Sequence, residues 1–163
     1  MTTVLAVDLG SASGRVLAGT LTDGRLEVTD IHRFKHEARR REDGTLTWDV
    51  ATMEAETING LLKALEQFPD ARAVSIDTWG VDWAPLDEDG RLVGDVIAYR
   101  DERTSRTLDA FRERIADREF FDLTGNQPAT INTANQLFAY LREDPEAASR
   151  VAAALFLPDY FAY

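Results

Sequence analysis

The 163-residue sequence contains no cysteine and only two histidines. The absence of cysteine excludes a disulfide, a thiolate nucleophile and a cysteine-type zinc site. His32 and His36 are too few for a histidine-rich metal site, and we expect neither to act as a ligand. These absences narrow the candidate chemistry to sites that use neither sulfur nor clustered imidazoles.

Basic residues are also scarce, since 18 lysines and arginines stand against 29 aspartates and glutamates, for a formal net charge of −11. Such a charge argues against a nucleic acid or an anionic membrane surface as partner, and an anionic ligand would need local arginines and a metal ion. No apolar run approaches the length of a membrane span, and no signal peptide is visible. We therefore expect a cytoplasmic protein.

The most informative stretch lies near the N-terminus, where an apolar run leads into an aspartate and a turn of small residues. The run shows no polar alternation, which predicts a strand over residues 3–8 that is buried on both faces. Asp8 then emerges where the strand ends. Gly10 and Gly14 permit backbone conformations with positive φ, and Arg15 closes the turn with a guanidinium that suits phosphate.

This turn is a candidate phosphate site, because a glycine-rich turn can direct several N–H groups at one anion. Ser11 and Ser13 add hydroxyl groups, and Asp8 beside the turn suits Mg²⁺, which prefers a carboxylate, waters and phosphate oxygens. The spacing matches neither a P-loop nor a dinucleotide fingerprint. An ordinary β-hairpin turn that needs glycine explains the same pattern.

The remaining pattern predicts one α/β domain. Strands over residues 15–22 and 25–34 complete an antiparallel meander with a bulge near Thr29, and residues 35–47 form a polar loop. An apolar stripe that includes Ile58, Leu62 and Leu65 predicts a crossover helix between Asp49 and Pro69. The later elements are strands at 73–77 and 96–99, a hairpin around 86–92 with Pro85 at an edge, helices at 104–116, 117–123, 133–141 and 145–153, and a brief extended run at 155–157. In the helix at 133–141, Leu137, Phe138 and Leu141 are expected to face inward.

Several motifs resemble the rhamnulokinase group of the FGGY carbohydrate kinases, and they occur in order along the whole chain at residues 8–15, 31–34, 48–50, 76–82, 98–104, 132–137 and 158–160. The most specific of them read Ile-Asp-Thr-Trp-Gly-Val-Asp at 76–82 and Tyr-Arg-Asp-Glu-Arg-Thr at 99–104. The order of elements is similar to the ribonuclease-H-like half-domain of the actin/hexokinase/Hsp70 superfamily. Inside the phosphate turn the family usually has Ala-Ser-Ser-Gly-Arg, whereas this chain has Ser-Ala-Ser-Gly-Arg.

The resemblance implies ATP-dependent phosphorylation of L-rhamnulose at its 1-hydroxyl. The residues it implies for the ATP phosphates are Ser11, Ala12, Ser13, Gly14 and Arg15. Asp8 would approach Mg²⁺ through water, Gly80 would lie against the sugar, and Thr78 and Trp79 would help shape the sugar pocket.

For other residues in the matched motifs, the sequence allows two roles. Asp77 is either a second acid near the phosphates or the cap of a turn, and Arg100 and Arg103 are either ligand contacts or parts of a salt-bridged helix start. Trp79 is either a pocket residue or core, and Trp83 is expected to be core.

The resemblance covers only most of the first of two family domains, so we expect an incomplete N-terminal domain over residues 1–163, with self-association through the truncated face. The family's catalytic base, an aspartate in a later His-Asp-Thr stretch, has no counterpart here, and we expect the fragment alone to be inactive. The alternatives are a non-catalytic binding or assembly module of the same fold, or an FGGY kinase for another ketose or polyol.

Overall fold

The computed structural model describes every residue from 1 to 163, and the chain begins with three antiparallel strands. These are β1 (Thr2–Leu9), β2 (Ser13–Thr22) and β3 (Arg25–Lys35). The β2–β3 turn has positive φ at both Asp23 (50°) and Gly24 (78°), as a tight two-residue hairpin requires. The predicted meander is therefore confirmed.

A β-bulge interrupts the pairing of β2 with β3. Val16 lies opposite His32 and Leu17 lies opposite Asp30, so Ile31 is the extra residue. The sequence pattern placed the bulge near Thr29, two residues too early. Because one extra residue reverses which face each following side chain occupies, the bulge sets the orientation of the end of β3.

The segment predicted as a polar loop contains two short paired strands, β4 (Ala38–Arg40) and β5 (Leu46–Trp48). Helix α1 (Val50–Gln67) follows, and the Asp49 carboxylate caps it by accepting a 3.0 Å hydrogen bond from the Thr52 N–H.

The buried face of α1 differs from the predicted stripe. Five residues of the helix are buried, namely Val50, Met53, Thr57, Gly60 and Ala64. Ile58, Leu62 and Leu65 are instead exposed. A methyl group added at Gly60 would lie 2.5 Å from Val16 Cγ2, so the small residues decide which face approaches the sheet.

Strand β6 (Val74–Thr78) pairs parallel with β1 and completes a mixed sheet of order β3-β2-β1-β6. Helix α1 is the crossover connection, as the α/β pattern predicts. The core on this side of the sheet is built from alternate strand residues and the buried face of α1, and includes Leu5, Val7, Leu9, Val16 and Met53.

The later part of the chain contains α2 (Arg103–Arg112), α3 (Asp117–Thr124), α4 (Thr133–Glu143) and α5 (Pro145–Ala148). It also contains the antiparallel pair β7 (Trp83–Leu86) and β8 (Ala153–Phe156), before α6 (Leu157–Ala162). A left-handed glycine ends α3, where Gly125 adopts φ 68° and forms the predicted cap.

Three expectations for this part are wrong. Residues 96–99 form no continuous strand, only an isolated bridge between Thr47 and Ile97. Helix α5 ends at Ala148 because the chain turns back to pair with β7, beginning with a 2.8 Å hydrogen bond from the Ala152 N–H to the Leu86 carbonyl. In α4, Leu137 and Leu141, which were expected to face inward, are exposed, whereas Gln136 and Tyr140 are buried.

The chain divides into two compact units. One comprises Met1–Ala38, Asp49–Gly80 and Leu157–Tyr163, and the other comprises Arg39–Trp48 and Val81–Phe156. The expectation of a single incomplete domain stays a prediction. No helix has both the length and the apolar character needed to cross a membrane.

Candidate functional site

Four charged residues form one row across the four-stranded sheet. Arg33 pairs with Arg15, Arg15 pairs with Asp8, and Asp8 pairs with Asp77 in the strand register. Directly paired residues of adjacent strands project from the same face of a sheet. The row therefore brings together two residues predicted for the site, Asp8 and Arg15, with Asp77, whose role the sequence left open.

Asp8 and Arg15 form an ion pair in which two guanidinium N–H groups donate to the same carboxylate oxygen. The Nε–Oδ2 distance is 2.7 Å, and Nη2 also donates to Oδ2. The Arg15 side chain is 42% exposed and that of Asp8 is 40% exposed. An ion pair this accessible contributes only about 0–1 kcal/mol to folding, so a ligand can displace it at little cost to stability.

The turn between β1 and β2 is closed by a 2.9 Å hydrogen bond from the Gly10 N–H to the Ser13 carbonyl, and Ser11 and Ala12 are exposed at its tip. Neither Gly10 nor Gly14 has a positive φ, so the conformational reason given for them from the sequence is wrong. A Cβ at Gly14 would lie 2.3 Å from the Phe34 ring. Gly14 is therefore required by packing beneath the turn.

A cleft opens beside this turn, lined by Asp8, Gly10, Ser13, Arg15 and Arg33. Arg33 is the member that sequence reasoning missed. Arg33 reaches the cleft through the β2–β3 register, which depends on the position of the bulge. Spacing along one strand does not predict that register.

His36 supports the turn from inside the same unit. Its backbone N–H donates to the Ala12 carbonyl at 3.3 Å, and its ring stacks on Trp79 with centroids 5.9 Å apart. Burial lowers the pKa of the imidazole, while the backbone of Gly10 and Ser13 opposes that shift. His36 thus packs between the β1–β2 turn and Trp79, and sequence reasoning assigned it no role.

The residues predicted for the sugar follow the end of β6. The Thr78 hydroxyl donates to the Trp79 carbonyl at 2.9 Å, and Trp79 is partly buried against the core. Gly80 is exposed, and a Cβ added there would meet nothing within 4 Å. Packing within the chain therefore does not explain why position 80 is glycine.

Val81 has φ 75°, in the left-handed region that β-branched residues rarely adopt. Its carbonyl accepts hydrogen bonds from the Thr133 hydroxyl at 2.9 Å and from Gln136 Nε2 at 3.1 Å. Such a conformation costs about 1–3 kcal/mol and is characteristic of functional sites. Two side chains from the start of α4 thus hold the backbone that directly follows Gly80 in sequence.

Gln136 also donates to the fully buried carboxylate of Asp82, at 3.1 Å, and Trp48 Nε1 donates to the other oxygen of that carboxylate at 2.6 Å. Arg103 is 5% exposed, and its pKa is lowered by burial, with Asp101 and Asp82 opposing the shift. The burial of Arg103 favours the structural interpretation of this residue.

Trp83 is buried in the second unit and packs edge-on against Tyr140, with ring centroids 5.2 Å apart. This confirms the expectation that it is core. Arg100 places its guanidinium 5.1 Å from the Tyr99 ring centroid, and its ligand role stays a prediction.

We predict that Gln136→Leu destabilises the protein by about 1–3 kcal/mol, because it removes one donor from the buried Asp82 carboxylate and one from the Val81 carbonyl. Urea unfolding of the purified variant measures the loss. Gln127→Leu, at an exposed position, is the matched control and is expected to stay within about 0.5 kcal/mol of wild type. Equal stability of the two variants would contradict this role for Gln136.

A family model described as the N-terminal domain of the FGGY family of carbohydrate kinases matches residues 3–163. The chain belongs to the FGGY family. It is 40% identical over 161 residues to the rhamnulokinase of Klebsiella pneumoniae strain 342, a match that covers 98% of this chain and 33% of that protein. The rhamnulokinase of a second Klebsiella pneumoniae strain matches to the same extent. The chain thus spans about a third of the length of these relatives.

Solved structures of two sugar kinases share the fold. A xylulose kinase from Rhodospirillum rubrum superposes with a TM-score of 0.83 at 18% identity, over 98% of this chain and 33% of that one. A gluconate kinase from Lactobacillus acidophilus gives 0.82 at 13% identity, over 98% and 32%. The predicted fold class, an α/β structure with a mixed sheet of the actin/hexokinase type, is confirmed.

Proposed function

We propose that the gene product containing this FGGY segment is an ATP-dependent kinase that phosphorylates L-rhamnulose at its 1-hydroxyl. The observation that carries the proposal is the Asp8–Arg15 pair beside an exposed glycine turn, in a cleft that holds a second arginine. The 40% identity to a rhamnulokinase supports the choice of sugar.

In this proposal residues 11–15 bind the ATP phosphates. Ser11, Ala12 and Ser13 are exposed, and their backbone N–H groups would contact the phosphates, while Gly14 allows the turn to pack closely on Phe34. Arg15 exchanges the Asp8 carboxylate for phosphate oxygens, which offer its fork the same geometry. The exchange frees Asp8 at the moment when the nucleotide arrives.

The donor set also fits Mg²⁺. Asp8 and Asp77 are register partners on one face of the sheet, and no group of three or more acidic or histidine side chains is arranged to hold a metal by itself. Mg²⁺ takes one or two carboxylates and completes its shell with waters and substrate phosphates. Asp8, acting through water, and Asp77 would hold the ion, which would neutralise charge on the phosphates.

The sugar site in this proposal comprises Thr78, Trp79 and Gly80. Gly80 has open space where a side chain would stand, which lets a sugar approach the backbone. Trp79 is fixed by its stack on His36, which belongs to the same unit. Such rigid support favours accurate positioning of the acceptor hydroxyl.

We further propose that residues 1–163 do not transfer phosphate by themselves. They span about a third of the length of the rhamnulokinases they match, and the family resemblance implies a catalytic base in a later segment. Phosphoryl transfer depends on positioning both substrates and on stabilising the transferred group, which one part of the cleft does not achieve.

A substrate panel with the full gene product tests the proposal. ADP release from ATP is measured with L-rhamnulose, D-xylulose, D-gluconate and glycerol, and the phosphorylated position is read by NMR. We expect the highest kcat/KM for L-rhamnulose, with phosphate on O1. A higher value for another sugar identifies an FGGY kinase of different specificity, and no sugar-dependent ADP release with any of them contradicts the kinase proposal.

A further inference from the structure

Arg33 stands directly opposite Arg15 at the end of the four-stranded sheet and lines the same cleft. Its guanidinium is paired with Asp30 through Nε, and the side chains of Arg33 and Asp30 are 63% and 38% exposed. The arginine is therefore accessible, and its ion pair is of the weak, solvent-exposed kind that a stronger anion displaces.

The bulge at Ile31 creates this arrangement. In a regular strand, residues three apart project from opposite faces, so Asp30 and Arg33 would not meet. The extra residue puts both on the face that carries Arg15 and Asp8. Bulges that re-aim a side chain are common next to active sites.

The order of charges along the row does not stabilise the pairing of the strands. It reads Arg33, Arg15, Asp8, Asp77, so one pair of like charges stands at each end. Like charges on directly opposed residues are destabilising, and an alternating order would hold the strands better. A row with two adjacent cations suits a ligand that brings several negative charges to that end.

We propose that Arg33 is a second phosphate-binding arginine. It gives up its ion pair with Asp30 and binds the ATP phosphates together with Arg15. This inference rests on the proposed function, because it assigns a further residue to the same nucleotide site. Two guanidinium forks give two bidentate contacts to a polyphosphate, whereas a single arginine gives one.

The test uses the full gene product and measures ATP binding by calorimetry beside the Michaelis constants for ATP and the sugar. Arg33→Gln is expected to weaken ATP binding about fivefold or more and to leave the sugar constant within about twofold, as expected for loss of one charge-assisted contact. Arg33→Lys keeps the positive charge but lacks the planar guanidinium. Its ATP affinity is therefore expected to lie between those of wild type and Arg33→Gln. Arg25→Gln removes the same charge from an exposed position at the start of β3 and is expected to match wild type.

The outcomes separate this inference from the proposed function. Equal ATP affinity of Arg33→Gln and Arg25→Gln overturns the role of Arg33, whatever the sugar assay shows. Wild-type protein that binds ATP but phosphorylates no sugar overturns the kinase proposal, and a loss of ATP binding in Arg33→Gln then still supports the role of Arg33. Wild-type protein that does not bind ATP overturns both.

Discussion

Gly80→Val in the full gene product is expected to raise the Michaelis constant for the sugar by at least about tenfold and to leave that for ATP within about twofold. The melting temperature is expected to stay within about 2 °C of wild type. The combination is diagnostic, since the variant would retain its fold and its nucleotide site while losing sugar affinity.

The physical reason is the empty space at Gly80. A Cβ at this position meets no atom within 4 Å, so the folded chain itself tolerates a side chain. If the sugar touches the backbone here, the same side chain occupies the volume that the sugar needs. Gly80→Ala is expected to show a smaller effect than valine in the same direction.

Gly19→Ala is the matched control for Gly80→Ala. Gly19 lies within β2, has no positive φ, and an added Cβ would make only ordinary contacts, the nearest at 3.5 Å from Leu26. It is expected to leave both Michaelis constants unchanged. A Gly80→Val enzyme with a normal sugar constant would show that position 80 does not contact the sugar.

Arg15→Gln is expected to raise the Michaelis constant for ATP and to lower kcat/KM for ATP by about 10²–10³, because the bound phosphates lose a bidentate charge-assisted contact. Its half-exposed pair with Asp8 contributes little to folding, so we expect a loss of unfolding free energy below about 1 kcal/mol. Steady-state kinetics and urea unfolding of the same preparation measure the two quantities.

Arg91→Gln is the control for this change, because Arg91 also forms an exposed pair, with Asp89 at 2.8 Å, on a hairpin turn of the other unit. It is expected to keep wild-type kinetics. If Arg15→Gln lost stability by several kcal/mol and activity only in proportion, Arg15 would be a structural residue.

Local signals in the sequence were sufficient for β1 to β3, α1 and β6. The Asp23-Gly24 turn, the Asp49 cap and the apolar run of β1 each act within a few residues, and all three elements appear in the structure. The expectation that β1 is buried on both faces is wrong, because only alternate residues such as Leu5, Val7 and Leu9 are buried and Val4 is exposed. The end of α5 depended on a strand partner distant in sequence, and this is why it was misplaced.

The candidate site divides in the same way. Asp8 and Arg15 were found because they flank one short turn, whereas Arg33 and His36 reach it only through strand register and ring stacking. The strain at Val81 comes from its tertiary setting, since nothing in a valine residue predicts a positive φ. Periodicity and spacing in the sequence do not predict which residues the pairing of strands brings to a site.

The glycines show the difference most clearly. The Phe34 ring excludes a larger residue at Gly14, whereas Gly80 has open space around it, although both were interpreted as site residues. Only the folded structure distinguishes a glycine needed by the fold from one that is free to serve a ligand.

The most direct test of a phosphate site and a sugar site on this chain measures two Michaelis constants, for ATP and for L-rhamnulose, in both Arg15→Gln and Gly80→Val. We predict that the arginine variant raises the constant for ATP alone and the glycine variant raises that for L-rhamnulose alone. Variants that shift both constants together, or neither, would contradict the assignment of two separate sites.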